Sequence, residues 1–435
     1  MNNKETNNII SIPQLWKLFS RFLSVMGPTY VDHCVRTSYL VLMLCKKQHM
    51  DPVITRKVVF AAYFHDIGSI GKDIPYLIHP DYDIFHSVDG YLLLKYKSPL
   101  KDWAKIILYH HTSFNQHIDD EPYTSLGLKI AICDRMDDWE RHNIPFNKVK
   151  EQIENQAGKV FDPKDVKALL EVANDIDIQE DIKSGRYKDI LDEYVHSLDF
   201  SNEDIEGYIA MLASLFELYD TTTYNHSKTV ALIGAMLTNY LGYDELTCFK
   251  VYVSGLIHDL GKIFIPLSII DKPGRLTPEE YEVMKRHIIY SKDLSKDIFN
   301  KEIVDIACDH HERLDGSGYP NHLKHEEMNE LEELMQVGDV ISALIAKRSY
   351  KEEFPYEKVI EILDKDVSNG KFNKKIVDTF KENHEEILKY ANMMINEGYD
   401  EAYKMQEKRE QLIAYIKEKR AVLKDMPLSN FMERN

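Results

Sequence analysis

Apolar residues recur every three or four positions through most of the chain, and no stretch sustains the alternation that builds a half-buried strand. The pattern therefore predicts an all-α protein. Asp51-Pro52 reads as an N-cap with proline at the first helical position. Val58, Val59, Ala62 and Phe64 then lead to a His65-Asp66 pair, with Gly68 just beyond. A similar series starts at Asp244: Phe249, Val251, Val253 and Leu256 lead to His258-Asp259 and Gly261. Each His-Asp pair is thus expected near a helix C-terminus. Ser201 and Asp204 predict a capping box for the helix that enters the second half. The last fifty residues are rich in Lys and Glu, with Leu412, Ile413 and Ile416 at helical spacing, and predict a terminal helix packed on the body or on a partner.

The likeness of the two series extends to a repeat of the whole unit. The first half runs His33, His65-Asp66, His86, His110-His111, Asp134 and then Gly158-Lys159; the second runs His226, His258-Asp259, His287, His310-His311, Asp339 and then Gly370-Lys371. The first two landmarks are offset by 193 residues (33 to 226, 65 to 258), and later ones by 200 or more, so the second copy carries insertions. The expected division is a first unit over 1–198, a second over 199–385 and a helical extension over 386–435.

Composition narrows the chemistry. The 435 residues, 44% hydrophobic and 29% charged, suit folded globular units. The longest unbroken apolar run is about seven residues, short of the roughly 20 that cross a bilayer, and the start lacks the pattern of a signal peptide. The chain is therefore expected to be cytoplasmic, with no membrane partner. Its five cysteines sit in apolar stretches without a CxxC pair and read as reduced thiols. A net charge of −18 disfavours extended nucleic acid. The 18 histidines, two adjacent pairs among them, point to metal.

Two metal ions held by imidazoles and carboxylates, one of them able to bridge, suit hydrolysis of a phosphodiester, whose negative charge repels nucleophiles. The second half supplies five histidines and two aspartates in NHSKTVA from Asn225, HDLGK from His258, KRH ending at His287, HHERLDGSGYP from His310 and GDVISAL from Gly338. In these stretches the sequence resembles the HD-GYP branch of the HD superfamily of metal-dependent phosphohydrolases, over roughly residues 200 to 385. The resemblance implies two tandem HD-type helical bundles and a phosphodiesterase acting on cyclic di-GMP or 3′,3′-cGAMP.

Carried over by position, the resemblance implies that Asp259 bridges two divalent ions, iron or manganese before zinc. His226, His258 and Asp339 would complete one site, and His287, His310 and His311 the other. A hydroxide bridging the metals would attack phosphorus. Lys262 would neutralise a phosphate oxygen or protonate the leaving 3′-oxygen, Gly318, Tyr319 and Pro320 would shape the pocket, and Arg348 and Lys351 would grip phosphates. The usual Asp three residues beyond the last metal Asp is Ser342 in this chain.

The first half resembles the same superfamily and retains all seven ligand types, His33, His65, Asp66, His86, His110, His111 and Asp134. It has Ser69 in place of Lys262 and HHTSFN in place of HHERLDGSGYP. A second metal site serving regulation, assembly or a secondary activity is expected there. Two alternatives stay open: another HD phosphohydrolase such as a nucleotidase, and a non-catalytic nucleotide-sensing scaffold. A homodimer also stays open.

Overall fold

In the computed structural model, residues 9–70, 72, 79–116, 118–141, 144–217, 225–270, 272, 274–346 and 354–421 are described. Among them every regular element is a helix, and pairing in the β manner is confined to the isolated bridges Ala157–Phe161 and Asp315–Lys324. The protein is all-α, as the pattern of apolar positions predicts. No helix among the described residues is long and apolar enough to cross a membrane.

The helix starts follow from short polar side chains satisfying exposed backbone N–H groups. Asp51 Oδ1 accepts from Val53 N at 2.8 Å, and Asp244 Oδ1 from Thr247 N at 2.8 Å. Ser201 and Asp204 bond reciprocally, Asp204 N to Ser201 Oγ at 3.0 Å and Ser201 N to Asp204 Oδ2 at 3.1 Å.

The chain divides into two compact units drawn differently from the three expected segments. One comprises Met1–Val25 with Asp199–Tyr403, the other Met26–Leu198 with Lys404–Asn435. Met1–Val25 thus groups with the second copy. In the helix Ile12–Leu23, Phe19 lies edge-on to Tyr208, and Arg21 donates to the carbonyls of Asp293, Leu294 and Lys296 at the end of the helix Pro278–Ser295. A guanidinium at a helix C-terminus satisfies carbonyls that have no partner within the helix.

The expected terminal extension begins earlier, as one helix over Lys374–Ala421. Its first part supplies Ile376, Val377, Phe380, Ile387 and Ala391 to the core around Val230, Ile233, Leu334 and Ile341. Gly398 lies within it because a Cβ there would come within 2.9 Å of the Asn225 amide. That amide donates to Met394 O at 3.0 Å and so anchors the residue before His226. In the other unit, Arg409 pairs with Asp89, Lys417 pairs with Asp81, and both cations lie over the ring of Phe85. These contacts seat the end of the helix on the helix Tyr82–Lys97, which carries His86.

Candidate metal centres

In the second copy each candidate ligand lies within or at the end of a helix, so backbone geometry sets its direction. His226 opens the helix His226–Tyr240, His258-Asp259 follows Glu245–Ile257, His287 lies on Pro278–Ser295, His310-His311 follows Lys301–Cys308, and Asp339 lies on Glu330–Ile345. Gly261 lets the third of these helices approach, since a Cβ there would lie 2.1 Å from His287 O. Gly68 meets His86 O at 2.2 Å in the same way. The glycine of each HDxG stretch is thus required by packing against the next histidine's helix.

The seven side chains of the second copy converge. Asp259 is 1% exposed, and its two oxygens face different histidines. Oδ1 lies 3.2 Å from His287 Nε2 and 4.0 Å from His310 Nε2, and Oδ2 lies 3.1 Å from His258 Nε2 and 3.8 Å from His226 Nε2. Asp339 Oδ1 is 3.2 Å from His226 Nε2 and 4.0 Å from His258 Nε2. The ligand atoms of His226, His258 and Asp259 lie within 4.8 Å of one another, as do those of His287, His310 and His311.

The proton positions follow from the outer partners. His258, His287 and His310 each direct Nδ1 at the carbonyl oxygen three residues earlier, at 2.8, 2.6 and 2.6 Å. Nδ1 therefore carries a hydrogen in each, and Nε2 faces inward, its lone pair available in the neutral ring. Burial depresses the pKa of His287 to about 4 and of His310 to about 3, keeping both rings neutral. Asp259 is held well below the usual carboxylate range: burial opposes its charge, but His258 and Lys262 beside it outweigh that cost.

This donor set fits metal ions. His258 Nε2, His287 Nε2, His310 Nε2 and Asp259 Oδ1 are buried without a hydrogen-bond partner, an expensive arrangement unless a cation takes their lone pairs. The mixture of imidazole and carboxylate suits iron, manganese or zinc.

The remaining residues singled out in the sequence lie close by. Lys262 forms an ion pair with Oδ2 of Asp259. The Tyr319 ring packs on the His311 ring, with centroids 4.7 Å apart, and Tyr319 N donates to His311 O at 3.1 Å. Gly318 allows the loop to close, since a Cβ there would lie 2.4 Å from the Glu312 Cα, and Pro320 follows Tyr319. Arg348 and Lys351 lie outside the described residues. Sequence reasoning missed Glu312, whose fully buried carboxylate accepts from Asn321 N at 2.6 Å and Leu323 N at 3.0 Å and so ties down the loop. Its place directly after the adjacent histidines was the available signal.

The first copy repeats the convergence. Asp66, His86, His110 and His111 form one group with ligand atoms within 4.8 Å, and His33, His65 and Asp134 form another. His65, His86 and His110 again direct Nδ1 at backbone carbonyls, at 2.7, 2.8 and 2.6 Å. Their Nε2 atoms then face inward, where His86 and His110 stand Nε2 to Nε2 at 3.2 Å, and His33 and His65 at 3.1 Å. Imidazole nitrogens gathered at that distance fit a site built for a cation. Ser69 bonds Tyr82 across 2.7 Å, and Tyr82 packs against His86 with ring centroids 4.4 Å apart. The sequence reading also passed over Asp137, which bonds His33 Nδ1; its spacing of three from Asp134 was visible in ICDRMD.

Comparison with known proteins agrees with this architecture. A family described as HD domain matches residues 30–139, and another of the same description matches residues 210–376. A Vibrio cholerae protein named 3′3′-cGAMP-specific phosphodiesterase 1 is 26% identical over 405 residues, 87% of this chain and 93% of that protein. A Thermotoga maritima protein named cyclic di-GMP phosphodiesterase is 34% identical over 194 residues, 43% of this chain and about half (51%) of that protein. In fold, the chain is similar to a solved cyclic GMP-AMP specific phosphodiesterase of V. cholerae, with a TM-score of 0.50 and 14% identity, covering 86% of this chain and 97% of that one. With an HD domain matched in each half, the chain belongs to the HD superfamily in a tandem arrangement, and these relatives make it similar to the HD-GYP phosphodiesterases.

Proposed function

We propose that this protein is a metal-dependent phosphodiesterase that opens a cyclic dinucleotide, cyclic di-GMP or 3′,3′-cGAMP, to a linear dinucleotide, with the second copy as the catalytic unit. One observation carries the reading: the oxygens of buried Asp259 are divided between two sets of inward-facing imidazole nitrogens. That arrangement supports a pair of divalent ions sharing one carboxylate. His226, His258 and Asp339 would hold one, His287, His310 and His311 the other, and iron or manganese is the expected metal, with zinc as the third choice. When bound, such ions neutralise phosphoryl oxygens and make a nucleophile from water at neutral pH.

The chain's own residues supply the rest. The Lys262 ammonium stands on the edge of the cluster. There it would hold negative charge on a phosphate oxygen and pass a proton to the leaving 3′-oxygen. Tyr319 backs His311, and its ring would form part of the pocket wall beside the metal ligands. The anchored loop from Gly318 to Pro320 would shape the wall of the pocket. The names of the curated relatives support a cyclic dinucleotide substrate. Five free cysteines support the reducing environment of the cytoplasm as its compartment.

The test is turnover. Full-length protein loaded with Fe(II) or Mn(II) is incubated with each cyclic dinucleotide, and products are separated by chromatography. Metal-dependent appearance of a linear dinucleotide, abolished in Asp259→Ala, is the expected result. An ion-loaded sample that leaves both substrates intact would overturn the proposal.

A further inference from the structure

The two clusters use the same seven ligand types, yet the groups that hold their first histidine differ. In the first copy His33 Nδ1 donates to Oδ2 of Asp137 at 2.7 Å. Asp137 is 2% exposed and is gripped in turn by Arg36, whose Nε donates to Oδ1 and whose Nη2 donates to Oδ2 at 3.2 Å. In the second copy the same nitrogen of His226 meets Ser342 Oγ at 3.0 Å. Asp137 and Ser342 stand at the same place in the repeat, three residues beyond Asp134 and Asp339.

A carboxylate that accepts from Nδ1 makes the ring a stronger base at Nε2 and fixes its orientation, whereas a neutral hydroxyl does both less well. Such outer partners change metal affinity by roughly 10–100-fold. A second difference acts in the same direction. The central carboxylate of the second cluster, Asp259, carries the Lys262 ammonium on Oδ2, which an entering ion must outcompete. At the place of Lys262 the first copy has Ser69, a neutral residue whose hydroxyl bonds the Tyr82 hydroxyl at 2.7 Å.

We infer that the first copy is the tighter metal site of the two, and that Asp137, braced by Arg36, is the positioning residue responsible. The inference rests on the metal-dependent reading above and extends it to the copy that lacks Lys262 and the GYP loop. The first site stays filled and supports its unit. The second loads and empties as ion supply varies, so turnover follows ion concentration while the first unit keeps its metal.

Ion retention, measured independently of activity, tests this. Full-length protein loaded with Mn(II) is dialysed against rising chelator, ions are counted by elemental analysis, and turnover is followed on the same samples. The wild type is expected to lose metal in two steps, with the second-copy ions and turnover going first. Asp137→Ser moves the later step to about 10–100-fold less chelator. Ser342→Asp moves the earlier step toward the later one, a gain that misfolding cannot mimic. Asp137→Asn, which keeps an acceptor without the charge, falls between the wild type and Asp137→Ser.

Loss in a single step, activity outlasting half of the metal, or a two-step profile unmoved by both Asp137→Ser and Ser342→Asp would overturn the inference. Failure of the enzymatic reading looks different: ion-loaded protein shows the two retention steps and no turnover. Protein that takes up no ions at all would overturn both.

Discussion

Asp259 Oδ1 lies 3.2 Å from His287 Nε2, on the side of the carboxylate away from Oδ2 and the nitrogen of His258. Replacing the charged group by an amide leaves shape nearly unchanged and removes the one acceptor common to both histidine sets. Asp259→Asn is expected to cut turnover by at least two to three orders of magnitude, about the scale on which removing transition-state charge stabilisation is felt. Elemental analysis of the same preparation should show reduced metal content. Full metal content with full activity would contradict the central role given to this carboxylate.

Lys262 contacts Asp259 but is not a candidate ligand. Lys262→Met should therefore lower kcat by about 10²-fold or more, the usual worth of a general acid, while metal content holds or rises. Steady-state kinetics set beside metal analysis separates this pattern from that of Asp259→Asn. Equal loss of metal and activity would make Lys262 a structural cation instead.

What was legible in the sequence had a local cause. Ser201 with Asp204, and Asp51 with Val53, are bonds between near neighbours, so spacing alone reveals them. The order of histidines and aspartates was equally readable, because each lies at a helix end whose apolar lead-in repeats between the halves. The grouping of Met1–Val25 with the second copy was not readable. It depends on Phe19 meeting Tyr208 and on Arg21 reaching carbonyls more than 270 residues away, contacts that leave no period in the chain. Asp137 was missed for a related reason: an acidic residue on a helix is ordinarily solvated, and only the fold buries this one against His33 and Arg36.

Gly261 and Gly68 offer a test of packing in both copies. A methyl group at either would press on the backbone of the following histidine's helix, at 2.1 Å from His287 O and 2.2 Å from His86 O. Backbone cannot yield as a flexible side chain does, so Gly261→Ala and Gly68→Ala should each destabilise their unit by about 1–3 kcal/mol or more. Urea unfolding monitored by circular dichroism measures this. Gly338→Ala, where φ is not positive and the added carbon meets nothing nearer than 3.8 Å, is the control for crowding.

A pH-dependent contact lies in the segment that follows the GYP loop. His325 Nδ1 meets Glu333 Oε1 at 2.5 Å, and Glu333, 2% exposed, also accepts from Asn373 Nδ2 at 2.7 Å. The hydrogen bond to Glu333 raises the His325 pKa above its ordinary 6.5. The folded state therefore binds this proton more tightly than the unfolded chain, so the contribution is fully present below about 6.5 and is lost as pH rises through the folded value. Because the imidazole is largely exposed, solvent screens the pair and the effect on global stability is small. The sharper readout is the ring itself: an NMR titration should place the His325 transition above 6.5 in the wild type and return it toward 6.5 in Glu333→Gln. Unchanged titration in that variant would mean that the loop closes without this ion pair.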